Sequence, residues 1–469
     1  MGKIISGYIF PHPPVIVPEI GKGEETGARN TISAVEKAAR HIKEDQPDTI
    51  IVTTPHGPVF QDYIFISLSG VLAGDFGRFG NSRVRLEFRN DTSLAESIID
   101  NARYEGIYAG DVDGDTSRKY RIHRELDHGA LVPLYFVNRE FKDFKLVHIS
   151  IAGIPFEDLY RFGMCISKAV EETDKNVVFL ASGDLSHRLS KNAPYGFSAD
   201  GPKFDKFLVE SIKNGDIHKL FELDESFCES AGECGLRSFL MMFGAFEGYD
   251  LKPEVFSYEG PFGVGYSVAR FEPAGKNPER EILKKVEDRN IRRVEELRSN
   301  EDPYVALARK ALETYVREGK ILKVSGGLPD EMLEKRAGTF VSLKKGGRLR
   351  GCIGTTGPTR RNIAEEIISN AISAGTRDPR FDPVEPEELD KIAYSVDILK
   401  EAEPVNSIEE LDVIKYGVIV RSGMRSGLLL PNLEGVDTPE KQVSIALQKA
   451  GISPNEKYSM ERFEVVRHK

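Results

Sequence analysis

The sequence predicts an α/β fold with a partly parallel sheet for roughly the first 271 residues, and a second unit behind it. Short β-branched runs alternate with helical stretches in this first part. A length of 469 residues suggests two to four domains at roughly 100–200 residues each. The 40% of hydrophobic and 29% of charged residues are the balance of an ordinary globular protein.

The elements of the first part follow in the order strand, helix, strand. Buried strands are predicted at Asp48–Thr54, Lys145–Ile151 and Asn176–Ser182. Between the last two, apolar residues recur at helical spacing over Phe156–Thr173. A strand, a crossover helix and another strand favour parallel pairing.

A connector follows the first domain. Glu272–Pro278 is rich in Pro and Gly and predicts a loop, and Glu279–Arg298 carries charges of both signs and predicts a solvated helix. The sequence therefore predicts domains at residues 1–272 and 302–469, joined by a charged helical connector at 273–301.

The second unit begins with a helix-start signal. Asp302 is placed to cap a helix whose first position is Pro303, and Tyr304–Val316 continues the helical pattern. Strands are predicted at Phe340–Leu343 and Ala393–Leu399.

Charge and cysteine content narrow the class of protein. A formal charge of −10 argues against nucleic-acid binding through a broad basic face, though not against a local patch. No apolar run approaches the roughly 18 residues of a membrane span, and the N-terminus lacks the pattern of a signal peptide. Four cysteines in so long a chain do not form a disulfide scaffold, so we expect a reducing, cytoplasmic location.

Three histidines follow strand-like sequence in turn-forming contexts: His12, His56 and His187. Ligands of α/β sheets bind in the crevice at the carboxyl ends of the strands, so these imidazoles can converge there. Prolines beside His12 and His56 restrict the backbone, which suits a rigid ligand site. A lone histidine is more often a structural or surface residue, and His41, His148 and His218 are assigned no site role. His123 and His128 are five residues apart, so at most one is expected to face a shared centre.

Glu233 and Cys234 precede the apolar helix predicted at Phe239–Ala245. Two imidazoles with a carboxylate suit Fe(II) and O₂ chemistry, whereas two imidazoles with a thiolate suit copper or zinc. The plain alternative is a small buried thiol and a charge at the start of a helix.

Six short motifs of residues 1–271 resemble the class III extradiol dioxygenases, and within them the Memo branch. They occur in that family's order: Phe10–Pro14, Pro55–Pro58, Asp127–Pro133, Ser182–His187, Gly232–Gly235 and Gly263–Ala269. The resemblance implies a mixed-sheet α/β domain with one metal ion.

By position, the resemblance implies His12 and His56 as metal ligands. The dioxygenase glutamate falls on Cys234, as in Memo-type proteins, with Glu233 next to it. The expected metal is Fe(II), with copper and zinc as alternatives, and ring cleavage of a catechol is placed in doubt.

The same resemblance implies His187 as the acid/base and His128 as a residue that positions substrate or oxygen. Asp184 lies three residues before His187 and is expected to orient its imidazole.

The second unit resembles the AMMECR1 domain, which implies a smaller α+β fold. Its signature is Arg348-Leu-Arg-Gly-Cys-Ile-Gly-Thr355. In this octapeptide Arg348 and Arg350 offer forked donors for an anion, and Cys352 is either a buried small residue or a reactive thiol.

The predicted function is a metal-dependent oxidoreductase acting on an unknown small molecule. The resemblance also implies a pathway shared with a radical S-adenosylmethionine protein. The alternative is a non-catalytic binding or assembly module whose pocket recognises a peptide or small ligand.

Overall fold

In a computed structural model, which describes residues 1–324, 326–433 and 435–469, the chain divides into two units, Met1–Val286 and Glu287–Lys469. The strands of the first unit are β1 Lys3–Phe10, β2 Thr49–Thr54, β3 Ile64–Phe65, β4 Val71–Phe76, β5 Asn81–Arg89, β6 Ala109–Gly110, β7 Lys145–Ser150, β8 Asn176–Ser182, β9 Tyr249–Glu259 and β10 Tyr266–Lys276. Its helices are α1 Pro18–Gly21, α2 Arg29–Asp45, α3 Thr92–Tyr104, α4 Gly114–Tyr120, α5 His128–Glu140, α6 Phe156–Glu171, α7 Asp200–Asn214, α8 Glu225–Ala231 and α9 Leu236–Gly244.

The first unit is built on a six-stranded sheet in the order β7-β2-β8-β1-β10-β9. Strands β7, β2, β8 and β1 run parallel to one another. Strand β10 pairs antiparallel with β1, and β9 pairs antiparallel with β10 at the edge of the sheet. The sheet is therefore mixed, and the predicted α/β class is confirmed.

Helices cover both faces of this sheet. Tyr8 and Phe10 of β1 pack into the core on the side of α2 and α5, whereas Ile9 packs into the core on the side of α3, α6 and α9. Successive side chains of a strand point to opposite faces, and a strand covered on both sides is apolar along its whole length. The predicted strands are such runs.

Parallel pairing brings three strand ends together. Phe10, the last residue of β1, lies opposite Ser182, the last residue of β8, and β2 is in register with β8 on its other side. The loops that follow β1, β2 and β8 therefore leave the sheet at the same edge. These loops carry His12, His56 and His187.

The predicted loop at Glu272–Pro278 is wrong over its first part, because β10 continues to Lys276. Its pairing with β1 ends at Phe271, and only β9 accompanies it further. Pro273 therefore lies where β10 has an unpaired side, the kind of strand position in which proline is tolerated. Proline alone therefore did not mark the end of the strand.

A charged helix, α10 Ile282–Ser299, follows. The sequence predicts this helix as a solvated connector, but Leu283, Val286 and Val294 are buried, so an apolar stripe runs along it. The two units divide within this helix, between Val286 and Glu287.

The second unit contains two four-stranded antiparallel sheets, β12-β11-β13-β18 and β14-β17-β15-β16. Its strands are β11 Thr339–Lys345, β12 Arg348–Gly354, β13 Ile392–Leu399, β14 Glu403–Val405, β15 Gly417–Ser422, β16 Arg425–Leu429, β17 Ser459–Phe463 and β18 Val465–His468. Its other helices are α11 Pro303–Glu318, α12 Asp330–Glu334, α13 Ile363–Thr376 and α14 Pro439–Ala450.

Helices α11 and α13 pack on the first of these sheets and α14 on the second, so the predicted α+β class is confirmed. Asp302 caps α11 as expected, since its carboxylate accepts hydrogen bonds from the backbone N–H groups of Tyr304 and Val305. Within the described part of the chain, no helix has both the length and the apolar character that a membrane span needs.

Candidate metal centre

Three imidazoles meet at the carboxyl edge of the first sheet. One ring nitrogen each of His12, His56 and His128 lies within 4.8 Å of the other two. Among the residues that the structure describes, this is the only group of three or more potential metal ligands that lie so close together. His12 and His56 follow β1 and β2, and His128 is the first residue of α5.

His12 is buried and held at two points. Its backbone N–H donates to Oδ1 of Asp184 at 2.9 Å, and its Nδ1 lies 2.9 Å from Oγ of Ser182. The Ser182 hydroxyl donates its own proton to the carbonyl of Gly129, so it can only accept from His12. His12 is therefore protonated at Nδ1, and the lone pair of its Nε2 faces the centre.

The separation of the first two imidazoles suits a shared ion. Nε2 of His12 and Nε2 of His56 are 2.9 Å apart. Two nitrogens about 2.1 Å from one ion and about 90° apart would be separated by about 3.0 Å. The pair thus fits adjacent ligand positions.

The imidazoles are also in the protonation state that a metal needs. Burial, and then the charges of His56 and His128, lower the pKa of His12 well below its ordinary value. Burial, and then the charge of His128, lower the pKa of His56 to about 4, although His56 remains partly exposed at the cavity. Both rings are neutral at pH 7, and a neutral imidazole is the form that binds metals.

His128 is positioned by a buried network. The carboxylate of Asp127 caps α5 by accepting from the N–H of Gly129 at 2.8 Å, and it also accepts from the Thr54 hydroxyl at 2.6 Å. Its other oxygen lies 3.2 Å from Nε2 of His148, which is fully buried on β7. Burial alone would raise the pKa of Asp127, but the hydrogen bond with His148 holds it below its usual value. His148 was not predicted to have a role, and only the structure shows that it supports this centre.

Cys234 and Glu233, the two candidates for a third ligand, differ in position. Sγ of Cys234 is 3.6 Å from Nε2 of His12, a separation expected for two ligands about 110° apart with bonds of about 2.3 and 2.1 Å. Burial raises the pKa of the Cys234 thiol well above its ordinary value. The Glu233 carboxylate instead accepts a hydrogen bond of 2.7 Å from the N–H of Leu236 at the start of α9. Its burial raises its pKa to about 7.

His187 is oriented by a carbonyl group. Its Nδ1 lies 2.6 Å from the carbonyl oxygen of Gly232, which can only accept, so Nδ1 carries the proton. Asp184 was expected to orient this ring, but its carboxylate is 3.7 Å from the other nitrogen, Nε2, beyond hydrogen-bond distance. Burial raises the pKa of Asp184 to about 7 and lowers the pKa of His187.

A cavity of about 270 Å³ opens beside the centre. Its lining includes His56, His187, Arg188, Tyr195, Glu233 and Cys234. All seven predicted site residues therefore lie at the histidine cluster or in the wall next to it. Arg188 and Tyr195 were not predicted, and they lie in the loop that follows His187.

The predicted anion site of the second unit is not free. One edge of the Arg350 guanidinium is occupied by Glu388, to which Nε and Nη2 donate at 3.0 and 2.7 Å, and Nη1 donates to the carbonyl of Asp382 at 3.0 Å. Cys352 is half-buried, and burial raises the pKa of its thiol. This favours the inert, small residue over the reactive thiol.

Two known protein families match successive parts of this chain. The family described as the catalytic LigB subunit of aromatic ring-opening dioxygenase matches residues 6–269. The chain belongs to the LigB family. The AMMECR1 family matches residues 305–468, so the protein is a fusion of a LigB-like domain and an AMMECR1 domain.

Similar proteins match nearly the whole chain or about a third of it. A protein of Clostridium acetobutylicum is 46% identical over 463 residues, which are 98% of this chain and 98% of that protein. A protein of Thermotoga maritima is 54% identical over 171 residues, covering 36% of this chain and 98% of its own length. The crystal structure of an uncharacterised Pyrococcus horikoshii protein is 32% identical, covers 35% of this chain and 88% of its own, and has a TM-score of 0.33.

Proposed function

We propose that the LigB-like domain is a metal-dependent oxidoreductase that acts on a small hydroxylated molecule. The observation that carries the proposal is the pair formed by His12 and His56, whose Nε2 atoms are 2.9 Å apart. Ser182 fixes the tautomer of His12 so that its lone pair points at the shared position. A neutral, preoriented imidazole pair, one member of which lines a cavity, supports a metal site at this position.

His12 and His56 would hold the ion, with Cys234 or His128 as the third protein ligand. A set of imidazoles suits iron, copper or zinc, and a thiolate shifts the preference towards copper or zinc. Fe(II) is our first candidate because the matching family is one of ring-opening dioxygenases. When bound, the ion would supply Lewis acidity towards a substrate oxygen and, if it is iron or copper, redox chemistry.

His187 would act as the general base. Its Nδ1 proton is committed to the carbonyl of Gly232, so Nε2 carries the lone pair that can accept a proton from a substrate hydroxyl. Burial lowers the pKa of His187 and keeps this ring neutral at pH 7. After proton transfer, the nearby carboxylate of Asp184, at 3.7 Å, would stabilise the imidazolium.

The test is metal analysis of the full chain purified without oxygen and loaded with Fe(II), Zn(II) or Cu(I). We expect one ion per chain in the wild type, and less than a tenth of that in His12→Ala and His56→Ala, since each loses a ligand. His41→Ala is the matched control, because His41 lies on the surface of α2 beside Glu44. Circular dichroism checks that each variant is folded.

Two further variants separate the third-ligand candidates. Loss of metal in Cys234→Ala but not in His128→Ala would assign the thiol, and the reverse would assign the imidazole. A wild-type protein that binds none of these ions would refute the proposal and favour a binding module. We further propose that a radical S-adenosylmethionine protein acts in the same pathway, which co-purification with the full chain would test.

A further inference from the structure

Ser186, the residue before the proposed base His187, is fully buried, and its N–H, carbonyl and hydroxyl are all hydrogen-bonded. Its N–H donates to Oδ1 of Asp205 at 2.8 Å, and its carbonyl accepts from the N–H of Gly265 at 2.8 Å. Its Oγ donates to the carbonyl of Ala231 at 2.7 Å. Ser186 therefore connects the loop of the base to helix α7, to the end of α8 and to the segment before β10.

The bond to Ala231 matters for the base because the next carbonyl along the chain orients it. That carbonyl, of Gly232, lies 2.6 Å from Nδ1 of His187 and keeps the ring proton there. Gly232 follows α8 in the left-handed conformation, with a φ of 65°. The Ser186 hydroxyl thus fixes the peptide group next to the one that sets the tautomer of His187.

A second acceptor competes for the imidazole proton of His187. Oδ2 of Asp184 lies 3.7 Å from Nε2, the other ring nitrogen. The hydrogen bonds of a neutral imidazole decide which nitrogen carries the proton. A displaced Gly232 carbonyl would leave Nε2 to be protonated beside Asp184, and the base would then lack the lone pair that accepts the substrate proton.

Asp205 of α7 is a fully buried carboxylate without a cation. Burial raises its pKa to about 6, and it accepts from the N–H of Ser186 and from the hydroxyl of Tyr258, both at 2.8 Å. In residues 1–324, 326–433 and 435–469, no Lys or Arg nitrogen lies within 4.0 Å of this carboxylate. A buried charge without a cation is costly, so an apolar residue would serve packing alone better.

The other buried carboxylates that lie away from the histidine cluster are balanced. Three of them have a cation: Asp91 with Lys175, Asp378 with Arg380 and Asp397 with Arg467. Glu366 has no cation but accepts from four donors. Asp205 has neither arrangement, and one of its two donors is the residue next to the base. Departures of this kind are expected at functional sites.

Two glycines leave room for Asp205 and Ser186. A Cβ at Gly265 would lie 2.0 Å from Oδ2 of Asp205, and a Cβ at Gly201 would lie 2.5 Å from Oγ of Ser186. Neither glycine has a positive φ, so space rather than backbone conformation excludes a side chain. The packing is thus built around these two polar groups.

We propose that Asp205 and Ser186 are positioning residues of the base: they hold His187 against the Gly232 carbonyl, so that the ring proton stays on Nδ1 and Nε2 stays free to accept the substrate proton. This inference rests on the proposed function, since it takes His187 as the base. Both positioning residues are fully buried, so they act on the substrate only through His187.

The test is ¹⁵N NMR of the full chain with labelled histidines, because protonated and unprotonated ring nitrogens differ strongly in chemical shift. Spectra are recorded at about pH 8, where an ordinary histidine is neutral, without metal and with diamagnetic Zn(II). His187→Gln identifies the signals of His187. We expect only the Nδ1–H tautomer in the wild type and about equal populations of both tautomers in Ser186→Ala.

Variants of Asp205 separate its hydrogen bond from its mere presence. Asp205→Leu has no acceptor for the Ser186 N–H and should give the same mixture as Ser186→Ala. Asp205→Asn keeps one carbonyl oxygen for this N–H and should keep mostly the Nδ1–H tautomer. Circular dichroism checks the fold, and Ser186→Ala, which removes a single atom, keeps the test decisive if Asp205→Leu does not fold.

Asp45→Asn is the matched control. Asp45 also accepts from a serine and a tyrosine hydroxyl, those of Ser6 and Tyr8, but away from the histidine cluster. Its loss should lower the free energy of unfolding, measured with urea, without changing the tautomer of His187. The same mixture of tautomers in Asp45→Asn would show a general loosening of the fold and overturn the inference.

Two further results would also overturn it: a wild type with the His187 proton on Nε2, and an unchanged Nδ1–H signal in folded Ser186→Ala. Metal content of the same samples separates this inference from the proposed function. A wild type that binds no metal would refute the proposed function, whatever the tautomer. A metal-binding wild type whose tautomer survives in Ser186→Ala and Asp205→Leu would refute only the positioning role.

Discussion

The histidine cluster of the first unit and the signature strand of the second differ in what their polar groups do. At the cluster, Nε2 of His12 faces the imidazole of His56, while His187 and Arg188 line a cavity, where Nε of Arg188 has no hydrogen-bond partner. At the signature strand β12, Arg350 is paired with Glu388, and Asp378 accepts hydrogen bonds from Arg380 and from the N–H of Cys352. A highly specific sequence motif is thus no guide to chemistry. Polar groups that lie beside a cavity without a hydrogen-bond partner are a better guide.

The largest effect expected from this comparison is at His187. We expect His187→Gln to lose turnover by roughly 10²–10⁴-fold, the usual scale for removing a positioned base, while keeping its metal. Oxygen uptake by the iron-loaded protein with a hydroxylated substrate measures turnover, and His41→Gln is the control. Loss of metal in His187→Gln would instead make this residue a ligand, and unchanged turnover would remove it from the mechanism.

The next effect sharpens the role of the buried support. Without the Ser182 hydroxyl, Nδ1 of His12 loses its acceptor and the ring is no longer confined to one tautomer. We expect Ser182→Ala to weaken metal binding about 10–100-fold, as loss of such outer partners usually does. Competition with a metal chelator gives the affinity.

Ser6→Ala is the control for Ser182→Ala. Ser6 is a buried serine of the same sheet, in β1, but its hydroxyl donates to Asp45, away from the histidine cluster. Equal affinity in Ser182→Ala and the wild type would mean that Ser182 does not set the tautomer of His12.

The sequence was most informative where a pattern repeats along the chain. The β-branched run Asn176–Ser182 is the observed β8 without any change of bounds. Parallel strands share an edge, so the histidines after β1, β2 and β8 could be expected to meet. These inferences need only the period of the apolar residues and the rule for parallel sheets.

Contacts between distant, ordinary groups could not be predicted. The carbonyl of Gly232 orients His187 across 45 positions, and a carbonyl has no sequence signature. His148 resembles any strand residue in the sequence, and its support of Asp127 depends on how β7 lies beside the residue that caps α5. Pro273 shows the same limit for local signals, because its tolerance in β10 depends on which neighbouring strand has already ended.

The smallest expected effect concerns the second unit and tests whether its paired charges stabilise the fold. Glu388 accepts from Arg350 at 2.7 and 3.0 Å and from Lys345 at 2.9 Å. Burial alone would raise the pKa of Glu388, but these partners lower it to about 2. Because the folded pKa lies below the unfolded one, near 4.5, this stabilisation is complete above about pH 4.5 and is lost as the pH falls towards about 2.

We expect Glu388→Gln to lower the free energy of unfolding by about 1–2 kcal/mol at pH 7, and by less at about pH 3. Urea denaturation of both proteins at the two pH values measures this, with the exposed Glu401→Gln as control. An equal loss at both pH values would show that the Glu388 charge contributes nothing, and the signature strand would then owe its stability to packing alone.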